Sequence, residues 1–266
     1  ALACLLRVRY RITVEGLKKL KKHTRDKRPL LFFSNHQALI DPVIIMSLLY
    51  TSFTPRPLVN EKQVDHPLAK YFMEMMNALF ISDLNIADRD AEEQFFIGIE
   101  EITASLKRGE NVLMYPSGRI SREHVELIGA DSDAVSVVQA VPEARIILLH
   151  IRGLRGSRFS RARGIPSLFG DAGKLFFRLL ANGFLFMPRR PVHIKIIEPD
   201  DFPVNGDKES VNRSLEEFYN IEPDRNTEIP DYWWQGYKPV YYDEIQSEFK
   251  DQDTSGISES IRSNGR

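Results

Sequence analysis

The chain has 266 residues, 42% of them hydrophobic, which suits one large domain with a substantial core, and its formal charge is −1. Its single cysteine, Cys4, excludes an internal disulfide and any multi-cysteine metal site. With a pI of about 6.7, no zinc spacing and no helix-turn-helix pattern, nucleic-acid binding ranks last among the function classes.

The opening, ALACLLRVRYRITVEG, starts without Met and reads as the end of an apolar helix running into a strand, as an excised domain with an upstream anchor would start. No apolar run approaches the roughly 18 residues of a spanning helix, and nothing at the start has the form of a cleavable signal. Charge is unevenly spread. Residues 7–28 hold ten Lys or Arg against Glu15 and Asp26, and residues 152–190 hold nine against Asp171, whereas residues 198–266 hold seven against seventeen acids. Two basic zones therefore precede an acidic end, and such zones serve anionic lipid, acidic protein or phosphorylated substrates when they are more than a solvated face.

Short β-branched or aromatic runs recur along the chain: VRYRITVEG, LLFFSN, NALFIS, NVLMYPSG, RIILLHIRG and PVHIKIIEP. Between them the apolar spacing turns helical, most clearly over Asp90–Lys107, which carries acids in its first turn. Alternation of this kind predicts an α/β fold, a largely parallel central sheet flanked by helices. Ligands gather at the carboxyl ends of such strands, which puts SNHQALID and YPSGRIS on the functional rim.

In FFSNHQALIDP, residues 32–42, His36 and Asp41 lie five apart. On one continuous helix they would diverge by about 140°, but a helix that starts between them lets His36 lie back from a loop toward Asp41. Asp41 precedes Pro42, which biases Asp41 toward extended backbone and makes Pro42 the expected first helical residue of PVIIMSLLY. Ser34 and Asn35 are expected to steady the loop by hydrogen bonds to its backbone. Taken alone, the pair reads either as a loop histidine satisfied by a carboxylate or as a base with its orienting acid, able to activate a hydroxyl without metal, cysteine or serine nucleophile.

MYPSGRIS, residues 114–121, places Ser117, Gly118 and Arg119 after a strand, where backbone N–H groups and a guanidinium can hold a phosphate. A base for a hydroxyl beside a clamp for a phosphate points to a phosphorylated alcohol. Further on, LFFRLLANGFLFMPRRP (residues 175–191) mixes apolar blocks with Arg178, Arg189 and Arg190, the composition of a membrane-interfacial segment or of a buried amphipathic helix. DYWWQGYKPVYY (residues 231–242) reads as an aromatic staple for the end of the domain. The polar remainder is expected to be a disordered tail or linker, dividing the chain into a domain over 1–241 and a tail over 242–266.

The order of these motifs resembles the glycerolipid acyltransferase family, which includes the lysophosphatidic acid acyltransferases. NHQALID matches its NHxxxxD motif, YPSGRIS has most of the form of its FPEGxxS motif, and ILLHIRG resembles the strand and glycine that follow. GRIS and GSRFSRARG are most similar to the acyltransferase half of bifunctional enzymes that re-acylate 2-acylglycerophosphoethanolamine and carry an acyl carrier protein ligase. The likeness extends over about residues 5–220. It implies that His36, oriented by Asp41, takes the proton of a lysophospholipid hydroxyl, which then attacks an acyl thioester on coenzyme A or acyl carrier protein without a covalent acyl-enzyme. It implies phosphate contacts from Gly118 and Arg119, with Lys62 and Arg89 as further basic residues between the motifs. No cofactor is implied beyond the acyl donor. Expected partners are the lysophospholipid, the thioester, a membrane surface and a fused ligase or transporter domain, with the protein at the cytoplasmic membrane face, peripheral or anchored through a flanking segment.

Three departures stand out: Ser117 occupies the position of the family's glutamate, Tyr115 replaces Phe, and RIILLHIRG lacks the Pro often found there. The first opens an alternative, a lipid-binding or regulatory module that keeps the scaffold without turnover. A thioesterase or lipid hydrolase using the same pair with water is another, although no Gly-x-Ser-x-Gly elbow is present.

Overall fold

The computed structural model describes residues 2–22, 26–60, 67–81, 99–129, 132, 134–163, 172–183, 186–222, 224–235 and 240–242. A seven-stranded sheet forms its centre, built from β1 (Tyr10–Glu15), β2 (Leu30–Ser34), β3 (Arg56–Asn60), β4 (Leu79–Ile81), β5 (Val112–Met114), β6 (Arg145–Arg152) and β7 (Arg190–Ile197). Its strand order is β1-β7-β6-β2-β5-β3-β4. Every neighbouring pair is parallel except β6 with β7, so five strands run one way and β7 and β1 run back. The expected α/β fold with a largely parallel sheet is the observed one.

β2 lies at the centre, and its sequence LLFFS is buried throughout. Such a continuous apolar run is what a parallel strand covered on both faces requires. Side chains alternate across the pleat. Leu30 and Phe32 point into a core shared with α1 (Leu2–Arg9) and α3 (Asp41–Phe53), through Ile44, Leu49 and Phe53. Leu31 and Phe33 point into the other core, formed with a helix over residues 99–107 (α5), α6 (Ala134–Ala140) and α8 (Lys208–Asn220), through Ile102, Leu106, Val137, Val138, Val211 and Leu215. Each such side chain, fully withdrawn from water, contributes about 1.5–3 kcal/mol.

The opening residues form helix α1 as expected, followed by a six-residue helix, α2 (Leu17–Lys22). Of the helix expected over Asp90–Lys107, residues 99–107 are helical and 90–98 lie outside the described residues. β3 was not expected. Its sequence RPLVN is short and carries Pro57, but pairing Arg56 with Val112 and Pro57 with Leu113 extends the sheet beside β5. Beyond β3 come α4 (Pro67–Met75) and β4, and α7 (Ala172–Ala181) joins β6 to β7. No helix among the described residues is long and apolar enough to cross a membrane.

Glycine is required after β6. Gly153 has φ +95°, and a Cβ there would sit 2.2 Å from the Pro191 carbonyl oxygen. Beside it, β8 (Asn226–Glu228) pairs with β9 (Val240–Tyr242), so the end of the aromatic stretch does staple onto the domain. Trp233 and Trp234 nevertheless stay more than half exposed, at 58% and 55%.

One buried base on β6 sets an acid limit. His150 is 3% exposed, packed edge-on against Phe218 and Tyr219. Burial, reinforced by Arg152, lowers its pKa from 6.5 to about 4. Below pH 6.5 the unfolded chain takes up a proton that the folded chain refuses, so stability falls as pH drops from 6.5 toward 4. The loss amounts to about 3 kcal/mol at most. A His150→Phe variant should keep the ring contacts and show a flatter melting temperature over that interval than wild type. Parallel pH profiles would discard the assignment.

Candidate active site

The carboxyl ends of β2, β5 and β6 lie side by side at one edge of the sheet, because β2 is parallel to both neighbours. The loop after β2 carries His36, the turn after β5 carries Ser117, Gly118 and Arg119, and β6 supplies the wall between them and β7.

His36 stands on the loop, and α3 begins at Asp41 itself with Pro42 second. Asp41 is therefore the first helical residue and not the extended residue that its position before proline implied. The consequence for the pair is the expected one, since His36 folds back and Nδ1 lies 3.2 Å from Asp41 Oδ2. Asp41 is fully buried, and the same Oδ2 accepts the main-chain N–H groups of Gln37 at 2.5 Å and Ala38 at 3.0 Å. The carboxylate thus closes its own loop at the helix N-terminus, where negative charge is favoured. The His36 side chain is 13% exposed, and its ring lies 4.5 Å from that of Tyr115, tilted by 34°.

Asn35 acts differently from the expectation. Its amide bonds across to β6, donating from Nδ2 to the Ile151 carbonyl at 2.9 Å and accepting the Ile151 N–H at 2.8 Å. It continues the β2–β6 ladder by one side-chain rung and fixes where the His36 loop departs. Ser34 does bond to the loop backbone, donating to the Asn35 carbonyl at 3.0 Å. The far side of the loop is pinned by Leu39, whose N–H donates to the Phe159 carbonyl at 2.9 Å.

The second motif forms a tight turn, with the Gly118 N–H donating to the Tyr115 carbonyl at 3.0 Å and Gly118 at φ +61°. Gly118 and Arg119 are exposed. The Ser117 hydroxyl donates to the Arg119 carbonyl at 3.1 Å, a bond within the exposed turn. Three residues on, the Ser121 N–H donates to the His36 carbonyl at 2.7 Å, so the two motifs meet through their main chains. Lys62 and Arg89 lie outside the described residues.

One residue of this neighbourhood had no signal in the sequence. Glu126, nine positions beyond Ser117 in a segment without periodicity, is 6% exposed, and burial raises its carboxyl pKa to about 7 against the opposing influence of Ser117 and His36.

An imidazole whose Nδ1 is held by a buried carboxylate keeps its proton on that nitrogen and leaves Nε2 to accept another. Such a pair can deprotonate a hydroxyl, and an exposed guanidinium on an adjacent strand end can hold an anionic group.

The comparisons with known proteins follow this geometry. The fold is similar to that of the 1-acyl-sn-glycerophosphate (LPA) acyltransferase PlsC from Thermotoga maritima, at 18% identity and a TM-score of 0.52, over 82% of this chain and 76% of that one. No curated protein sequence matches the chain. The model of the Acyltransferase family matches residues 11–151, just over half of the chain and the part that holds His36, Asp41 and the turn after β5, and the protein belongs to that family of enzymes.

Proposed function

We propose that this enzyme transfers a fatty acyl group from a thioester, on coenzyme A or acyl carrier protein, to the hydroxyl of a lysophospholipid or related phosphorylated alcohol. The observation that carries the reading is His36 Nδ1 at 3.2 Å from the buried Asp41, beside the turn that presents Gly118 and Arg119. In this mechanism the acceptor hydroxyl gives its proton to His36 Nε2 as its oxygen attacks the thioester carbonyl. The tetrahedral intermediate collapses with loss of the thiolate, which recovers the proton from the imidazolium. Asp41 stabilises the cationic ring in between. Gly118 and Arg119 hold the acceptor phosphate, with Lys62 and Arg89 as further candidates.

The test is acyl transfer by the purified protein in lipid vesicles, with labelled acyl-coenzyme A and acyl carrier protein donors against a panel of lysophospholipids. Product from one donor–acceptor pair identifies both substrates. Free fatty acid released at a rate indifferent to acceptor would replace the reading with a hydrolase. Lysolipid binding without product from any donor would replace it with a module that lacks turnover.

Acceptors of this kind reside in membranes, and we place the domain peripherally on the cytoplasmic face. Phe176, Phe177 and Leu180 of α7 are exposed at 58%, 66% and 47%, and Phe186 just beyond it at 69%. The exposed Trp233 and Trp234 are joined to this face by Asn182, which accepts the Trp233 N–H at 2.9 Å, and by the Arg178–Asp231 ion pair at 2.9 Å. Arg9 donates to the Pro188 carbonyl and Arg189 next to it is exposed, so the aromatic surface has a basic flank suited to anionic lipid. Replacing Phe177 and Trp234 together by Asp should cut sedimentation with vesicles containing phosphatidylglycerol at least tenfold while leaving turnover of a soluble short-chain acceptor unchanged. Undiminished sedimentation would reject this face as the contact.

A further inference from the structure

Both motif loops are held from a segment that neither motif includes. β6 ends at Arg152, and the chain turns at Gly153 into residues 154–160, of which Leu154, Ser157 and Ser160 are buried. The far end of this segment meets the His36 loop: Ser160 forms an antiparallel bridge with Ala38, and the Phe159 carbonyl accepts the Leu39 N–H at 2.9 Å. The near end carries Arg155, 8% exposed. Two nitrogens of its guanidinium reach the residues after the second motif, donating to the Arg122 carbonyl at 2.7 Å and to the Glu123 carbonyl. The Glu123 carbonyl also accepts the Ser121 hydroxyl at 3.0 Å, and the Ser121 N–H donates to the His36 carbonyl at 2.7 Å. Ser121 thus links the carbonyl that Arg155 holds to the peptide of His36.

Arg155 is itself aimed from behind. Its carbonyl accepts the Thr227 N–H of β8 at 3.1 Å and Nη1 of Arg190 at 3.3 Å. Arg190, 5% exposed, also donates to the Gly153 carbonyl at 2.9 Å and to the Thr227 carbonyl at 2.8 Å. Burying a guanidinium is costly unless its donors are used. Among the described residues the hydrogen bonds of the Arg155 guanidinium go to main-chain carbonyls and not to a carboxylate. The group therefore serves by shape, since a planar fork spans two successive carbonyls and the ammonium of a lysine cannot.

We propose that Arg155 is a positioning residue of the active site: its guanidinium fixes residues 121–123 so that the Ser121 N–H holds the His36 carbonyl, and with it the imidazole, against the turn that presents Gly118 and Arg119. It acts through Ser121 and touches neither substrate nor the reacting atoms. The Leu39–Phe159 bond, by contrast, is made by main chain alone and does not depend on the guanidinium.

This inference rests on the acyl-transfer reading for its kinetic arm, and a second arm needs no substrate. Arg155→Met keeps the apolar stem and removes both donors. Amide hydrogen exchange at Ser121, followed by NMR, should accelerate about tenfold or more in R155M, with exchange at Leu39 within about threefold of wild type. In the transfer assay R155M should lose about 10–100-fold in kcat with KM for both substrates within about threefold, since small displacements of a base act on the chemical step. R155K, which retains one donor group, should recover part of that loss. Unchanged exchange at Ser121 overturns the proposal, and so does equal acceleration at Ser121 and Leu39, which would mark a general loosening of the fold. A wild-type kcat in R155M, or a loss confined to KM, overturns it as well. If R155M does not fold, R155K decides: faster exchange at Ser121 together with a lower kcat supports positioning, and a wild-type value of either overturns it. A wild type that transfers no acyl group rejects the proposed function, and the two exchange rates still decide whether Arg155 holds Ser121.

Discussion

His36→Ala should reduce kcat for acyl transfer by about 10²–10⁴-fold or more, the range that a positioned general base supplies. The reason is positional. With Nδ1 at 3.2 Å from Asp41 Oδ2, only Nε2 is left to receive the acceptor's proton, and alanine supplies no replacement. His36→Gln should be as impaired as alanine, because an amide can bond to Asp41 yet cannot take up a proton at neutral pH. Neither change should unfold the protein, since the His36 ring packs mainly against Tyr115 at the rim of the fold. Melting curves close to wild type, together with lost product, would locate the defect in chemistry. Wild-type turnover by His36→Ala would end the general-base reading.

Asp41 carries the second large effect, and two substitutions separate its roles. Asp41→Asn keeps an oxygen where Oδ2 accepts the Gln37 and Ala38 N–H groups, so the loop should close and stability should stay within about 1 kcal/mol of wild type. The negative charge that stabilises imidazolium is gone, and kcat should fall by about 10²–10⁴-fold. Asp41→Ala removes the acceptor as well. Two N–H groups at buried residues then lose their partner, at roughly 1–3 kcal/mol each. Denaturant titration of the pair should therefore show alanine less stable by roughly 2–5 kcal/mol, with both variants nearly inactive. Equal stability would mean that Oδ2 does not hold the loop, and an active Asp41→Asn would mean that its charge does not serve the base.

Much of the sheet was legible because it is written in short-range pattern. LLFF has no polar break and reads as a buried strand, and it became part of the central one. RPLVN was illegible for the opposite reason. Its strand character comes from pairing with β5 and β4, partners it meets only in the folded sheet. The His36–Asp41 contact was legible in outline, since turn chemistry before Pro42 starts a helix between the two residues. The helix in fact begins one residue earlier because Asp41 caps its own loop through Gln37 and Ala38, a closure that outweighs the bias of a residue before proline.

What the amino-acid sequence determined by itself was the α/β class, the placement of both motifs at strand ends, the closeness of His36 to Asp41 and the basic-apolar character of residues 175–191. All of these rest on periodicity and turn propensity acting within a few residues of chain. The tertiary structure alone decided the partners. Asn35 meets Ile151 116 positions away, and Glu126 is set in place by Asn220, 94 positions away. Such contacts depend on which strand ends become neighbours and on long-range hydrogen bonds that no local pattern encodes.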